Sequence, residues 1–151
     1  DMRKPLPDGE FDYVFNLFTS FGYFDDLNDN LSVLQAAHTM LVPGGTLVID
    51  FLNAVRVVQN LISEEVKTCD SFQFHISRYL ANGCVFKKIR FTDEQGNEQM
   101  HTERVQLLGL EQFTQLLEKT GFTLKTVFGD YNLGTFAPSL SDRLILIAVK
   151  N

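Results

Sequence analysis

Hydrophobic positions along this chain change period twice. The run Phe11-Asp12-Tyr13-Val14-Phe15-Asn16-Leu17 is short and nearly continuously apolar, which predicts a strand covered on both faces. Thr19-Ser20-Phe21-Gly22-Tyr23-Phe24 follows as a loop rich in aromatics. Leu31, Leu34, Ala37/His38 and Leu41 then recur at helical spacing, with Asp26 or Asn28 available as the N-cap. Pro43-Gly44-Gly45 predicts the stop of that helix, and Thr46-Leu47-Val48-Ile49-Asp50-Phe51 a second buried strand. Strand, helix, strand with no hairpin signal is a βαβ unit, and its crossover is expected to be right-handed.

Beyond Asn53 the period shortens. A short helix over about 55–62 gives way to three β-like runs, Phe72–Leu80, Cys84–Phe91 and Met100–Leu107. Ala81-Asn82-Gly83 and Asp93-Glu94-Gln95-Gly96-Asn97 separate them, both rich in turn formers. This pattern predicts an antiparallel meander inserted at about 54–108 into an α/β frame. The helical period returns over about 110–120, with Phe113, Leu116 and Leu117 on the buried face and Gly121 as the end. Phe122–Phe128 and Leu144–Val149 read as two last strands joined by the loop 129–142. No repeat, low-complexity run or linker divides the chain, so residues 1–151 are expected to form one unit.

Composition narrows the partners. With 13 Lys+Arg against 19 Asp+Glu the net charge is −6, which argues against binding a nucleic-acid backbone and favours a small or cationic partner. No apolar run reaches the ~18 residues that a bilayer span needs, and no signal peptide is visible. Cys69 and Cys84 fit neither a disulfide framework nor a metal site, which suits a reducing cytoplasm. The 14 Phe suggest an aromatic core or an apolar pocket. The chain opens on Asp1 with no glycine-rich strand-to-helix turn, and is expected to be part of a longer polypeptide.

The segments Phe11–Val14 with Ser20-Phe21-Gly22-Tyr23-Phe24, Leu41–Asp50 around Pro43-Gly44-Gly45, and Lys119-Thr120-Gly121-Phe122 together resemble the C-terminal half of a class I S-adenosylmethionine-dependent methyltransferase. The likeness is greatest to small-molecule enzymes with an antiparallel insertion after the fifth strand. The resemblance implies a Rossmann-like mixed sheet in which 13–17 and 46–51 are parallel. It implies that 144–149 runs antiparallel between 46–51 and 122–128. The family's glycine-rich cofactor loop, and the acidic residue after its second strand, have no counterpart here, so weak or absent S-adenosylmethionine binding is expected of the chain alone.

By the same resemblance Asp1 and Met2 match the position that meets the adenine ring, where an exocyclic amine needs an acceptor. Asn16, Leu17 and Phe18 end a parallel strand, where ligands gather in doubly wound sheets. Tyr23, with Phe21 and Phe24, either flanks a sulfonium or an amine or packs in the core. Asp50, Asn53 and Arg56 share that rim and either orient a methyl acceptor or, for the first two, cap the next helix. Arg78, Lys87, Lys88 and Arg90 either meet a carboxylate-bearing substrate or form a solvated strand face. His75, His101 and Glu103 read as strand surface residues. Tyr131 lies in the long last loop and is a candidate to close over the site. The open edge of strand 13–17, bearing Val14, Phe15 and Leu17, predicts pairing with a second copy, or with the rest of a longer polypeptide. The alternative to an enzyme is a non-catalytic module that kept this architecture for binding or self-association.

Overall fold

The computed structural model describes residues 1–7 and 9–151. Its elements are β1 (Phe11–Asn16), α1 (Leu27–Met40), β2 (Leu41–Leu52), α2 (Ala54–Gln59), β3 (Glu64–Cys69), β4 (Phe72–Ala81), β5 (Cys84–Thr92), β6 (Glu98–Gln106), α3 (Leu110–Lys119), β7 (Phe122–Phe128) and β8 (Arg143–Lys150). They form two four-stranded sheets, one mixed in the order β1-β2-β8-β7 and one antiparallel in the order β3-β4-β5-β6. β1 and β2 are parallel, and β8 runs antiparallel between β2 and β7, as the resemblance implied. The fold is a mixed α/β sheet with an antiparallel meander.

Alternation along the strands divides the mixed sheet into two unlike faces. Leu47, Ile49 and Phe51 of β2 and Leu144, Leu146 and Ala148 of β8 pack in one cluster with Leu34 and Ala37 of α1 and Phe113 and Leu117 of α3. On the opposite face Phe15 pairs across to Val48 and Val48 to Ile147, so the three stand in one row. Tyr13 and Phe15 on that face are 61% and 60% exposed and stack on one another at 6.0 Å. β1 is therefore not covered on both faces as its apolar run predicts: it is an edge strand with one open side. An apolar run reports what a strand can bury, and only its neighbours decide whether it does.

Three further expectations need correction. Pro43-Gly44-Gly45 does not separate helix from strand. α1 stops at Met40, and the tripeptide bulges within β2, between the pairs Phe11↔Leu41 and Tyr13↔Thr46. Lys150 finishes the helix instead, its ammonium donating to the carbonyls of His38 (2.8 Å) and Leu41 (2.7 Å). The buried face of α1 is Asn30, Val33, Leu34, Ala36 and Ala37, rotated from the stripe through Leu31 and His38. The meander has four strands rather than three, because Glu64-Glu65-Val66-Lys67-Thr68-Cys69 pairs with β4 along its whole length. Its mostly polar sequence carries no alternation to announce it.

The second sheet joins the first at its base. The Gln106 backbone N–H donates to the Gly22 carbonyl (2.9 Å), and its side chain bridges the Phe24 carbonyl (2.9 Å) to the Asn30 amide (2.6 Å). Its strands stand over the carboxyl ends of β1 and β2, and this positions the site.

Candidate active site

The rim is organised by Asp50, near the end of β2 and 2% exposed. One carboxylate oxygen accepts from Arg143 Nε (2.8 Å), while the other accepts from the Phe18 backbone N–H (2.9 Å) and the Tyr131 hydroxyl (3.1 Å). Arg143, the first residue of β8 and directly opposite Leu52, also donates to Thr19 Oγ1 (3.0 Å) and lies over the Tyr131 ring at 5.9 Å. The Thr19 N–H donates to the Asp50 carbonyl (3.0 Å). These bonds fasten the turn after β1, in which Phe18 (φ 56°) and Thr19 (φ 58°) are both left-handed. Two consecutive non-glycine residues in that region cost about 1–2 kcal/mol each. Asp50 holds them from the β2 side, while the Ser20 N–H (3.2 Å) and hydroxyl (2.6 Å) close the turn onto the Leu17 carbonyl. The same contacts leave the Phe18 ring 78% exposed at the strand end.

Asn53 fixes the next turn. Its carbonyl oxygen accepts from the Val55 N–H (3.1 Å), capping α2, and its amide donates to the Pro138 (2.8 Å) and Ser141 (2.6 Å) carbonyls. Asn53 thus fastens the 129–142 loop to the rim. Arg56 reaches Asp142 at 3.4 Å on the surface.

A cleft of about 530 Å³ opens between the rim and the inner face of the second sheet. Leu52, Val57, Leu61, Val85 and Val105 supply its apolar lining, and Glu65, Lys67, Arg78, Lys87 and Glu103 its charged lining. Arg78 binds Glu65 at 2.5 Å, and Lys87 binds Glu103 at 3.1 Å. The Arg78 guanidinium holds the Glu65 carboxyl below the usual range. Thr19, Tyr23 and Arg143 close the rim side. Burial, and then the Glu103 carboxylate, push the Tyr23 phenol above its ordinary value.

A second groove, of about 320 Å³, runs beside β1 between the N-terminal segment and α1. Asp1, Met2, Val14, Asn16 and Val33 are among its walls. Asn16 Oδ1 is buried there without a partner among the described residues, and Asn16 Nδ2 has only Met2 Sδ, at 3.9 Å. The Asp1 carboxylate is engaged by Arg3 (2.7 Å), which also binds Asp29 (3.1 Å) and lies on the Phe24 ring.

The residues singled out by sequence therefore do not gather in one place. Asp1, Met2 and Asn16 meet in the groove beside β1, with Leu17 and Phe18 following at the strand end, while Tyr23 faces the cleft. Asp50, Asn53 and Tyr131 form one fastening network, and Arg56 lies outside it on Asp142. Four participants were not singled out: Arg143, Thr19, Glu65 and, read as surface, Glu103. A cation placed just before the apolar run Leu144–Val149 was the available signal for Arg143. Glu65 gave none, since its strand was not visible.

No protein-family model matches the sequence, and no curated protein matches it. Solved structures do match. An S-adenosylmethionine-dependent methyltransferase from Clostridium acetobutylicum superposes with a TM-score of 0.87 at 15% identity, over 100% of this chain and 63% of its own. The CcbJ methyltransferase from Streptomyces caelestis follows with a TM-score of 0.79 at 15% identity, over 97% of this chain and 63% of its own. CalS10, an amino pentose methyltransferase from Micromonospora echinaspora solved with S-adenosylmethionine bound, gives 0.70 at 18% identity, over 100% and 63%. The chain spans about 63% of the length of these three structures.

Proposed function

We propose that this chain, which has the class I S-adenosylmethionine-dependent methyltransferase fold, is the acceptor-facing, C-terminal part of an enzyme that methylates a small molecule. One observation carries the reading: a cleft of about 530 Å³ lies at the carboxyl rim of the parallel strands, where ligands gather in such sheets. Asp1, Met2, Asn16, Leu17 and Phe18 face the cofactor in this reading. The groove beside β1 fits the adenine end, since Asp1 and the unpartnered Asn16 Oδ1 are acceptors for an exocyclic amine. Bound S-adenosylmethionine supplies a methyl group on a sulfonium. The chain's part is to hold the acceptor in line and dry. Tyr23 lines that acceptor space. Asp50, Asn53 and Tyr131 act by fixing the rim, and Arg56 lies at its outer end.

No glycine-rich strand-to-helix turn exists among the described residues to cradle the cofactor's amino-acid tail. In this reading that cradle lies outside residues 1–151. Each missing hydrogen bond to a charged group is worth about 1.5–3 kcal/mol, or roughly ten- to a hundredfold in affinity. Calorimetric titration with S-adenosylhomocysteine is expected to show weak or no binding by the chain alone. Micromolar binding is expected once the chain is extended upstream along its reading frame. A folded, extended protein that gives no heat would refute the methyltransferase reading, and micromolar binding by residues 1–151 alone would refute the divided site.

A second reading, self-association, is favoured by the outer edge of β1, unpaired among the described residues, and by the open row through Tyr13 and Phe15. Burying an aromatic or large aliphatic side chain yields about 1.5–3 kcal/mol, enough in sum to hold a second copy on this edge. Sedimentation of the chain is expected to show a dimer that dissociates on dilution. A monomer at every concentration rules this reading out.

A further inference from the structure

The charged wall of the cleft has an arrangement that the fold does not require. Arg78 on β4 stands directly opposite Lys87 on β5, and Lys87 directly opposite Glu103 on β6. Like charges directly opposite one another destabilise a sheet, yet these two cations occupy the centre of its inner face. Each is steadied only from the side, Arg78 by Glu65 at 2.5 Å and Lys87 by Glu103 at 3.1 Å. A guanidinium carries five donors and an ammonium three. Arg78 uses its donors on Glu65 and, at 3.4 Å, on the Ile62 carbonyl; Lys87 donates to Glu103. Their other N–H groups have no protein partner among the described residues. Lys88 and Arg90 alternate to the outer face, so the inward pair is not the spill-over of a generally basic strand.

From this we infer that the cleft takes a ligand with an anionic head, a carboxylate or phosphate, seated between Arg78 and Lys87. Its apolar body lies against Leu52, Val57, Val85 and Val105. The inference rests on the methyltransferase reading only in naming that ligand the acceptor. The head sits on the sheet wall, and the opposite end of the ligand reaches the rim at Thr19 and Tyr23, beside the end of β1. Arg143 also lines the cleft, but its Nε and one Nη are held by Asp50 and Thr19, which fixes it as part of the rim.

Three probes separate the possibilities: benzoate, phenyl phosphate and the neutral benzamide. Each is titrated into the ¹⁵N-labelled chain without cofactor and followed by amide and arginine side-chain shifts. Either anion is expected to give saturable shifts at residues 78, 87 and the rim, at least tenfold tighter than benzamide, and the tighter anion identifies the head group. Equal response to all three, or anion shifts elsewhere on the surface, overturns the inference. Two charge-balanced variants, Glu65→Gln/Arg78→Met and Lys87→Met/Glu103→Gln, remove one cation each without orphaning its carboxylate. Each is expected to weaken the better anion about tenfold, the loss of one charge-assisted hydrogen bond. Unchanged affinity in both also overturns it. If a variant fails to fold, the comparison of anion with benzamide in the unaltered chain still decides. Anion binding here, without S-adenosylhomocysteine binding by the extended protein, would keep this site and refute the methyltransferase reading. The reverse result would do the opposite.

Discussion

Phe113→Ala is expected to lower the unfolding free energy by about 3–5 kcal/mol, the range for deleting a fully buried aromatic ring. Phe113 is 0% exposed, and its ring meets Phe21 at 5.3 Å and Phe51 at 5.0 Å. It thus joins α3, the rim loop and β2 at one point. The cavity cannot close easily, because Phe51 is fixed by its pairing with Leu144 of β8 and Phe21 precedes the Gly22 carbonyl that anchors the second sheet. Domains of this kind have only about 5–15 kcal/mol to lose. Urea unfolding followed by far-ultraviolet circular dichroism measures the change, which is convenient because the chain has no tryptophan to report it by fluorescence. A loss below about 1 kcal/mol would mean that the ring is not held as the packing indicates.

The parts of this fold that were legible in the sequence are those in which local pattern and tertiary outcome agree. β7 and β8 read directly from their apolar runs, and α3 from Phe113, Leu116 and Leu117 with Gly121 behind them. Gly121 is left-handed (φ +81°), as a helix stop requires. The hairpin at Asn82-Gly83 was equally plain, both residues having positive φ. What failed depended on distant residues. The polar strand β3 exists because β4 offers an edge to pair with, not because Glu64–Cys69 favours a strand. Asn30, 0% exposed in α1, lies off the apolar stripe of that helix and is paired by Gln106, 76 residues away in sequence.

The site shows the same division. The sequence located the rim, because strand ends are local, and Asp50, Asn53 and Tyr131 were found there. It could not distinguish a side chain that meets a ligand from one that holds the loop beside it. Arg78 and Lys87 illustrate the point: in the sequence they are part of a local excess of positive charge with Lys88 and Arg90. Only the register of β4 on β5 places these two opposite each other on the inner face, with the others turned away.

Asp50→Ala should be the most damaging single change at the rim, destabilising by about 3–5 kcal/mol, as expected when one partner of a buried ion pair is removed. The loss has three parts. Arg143 keeps its charge in a largely enclosed place, with its side chain 21% exposed, and without its carboxylate. The Phe18 N–H and the Tyr131 hydroxyl lose their acceptor. The left-handed pair Phe18-Thr19 loses its side-chain anchor and keeps the backbone carbonyl of residue 50, the Thr19–Arg143 bond and the two Ser20 bonds to the Leu17 carbonyl. If the unpaired guanidinium is the main penalty, Asp50→Ala/Arg143→Met must be less destabilised than Asp50→Ala alone, because the double change leaves no orphaned charge. Strictly additive losses would refute that account and assign the cost to the turn instead. Hydrogen exchange separates the two contributions: the Phe18 amide is expected to lose protection in both variants, whereas global stability recovers only in the double one.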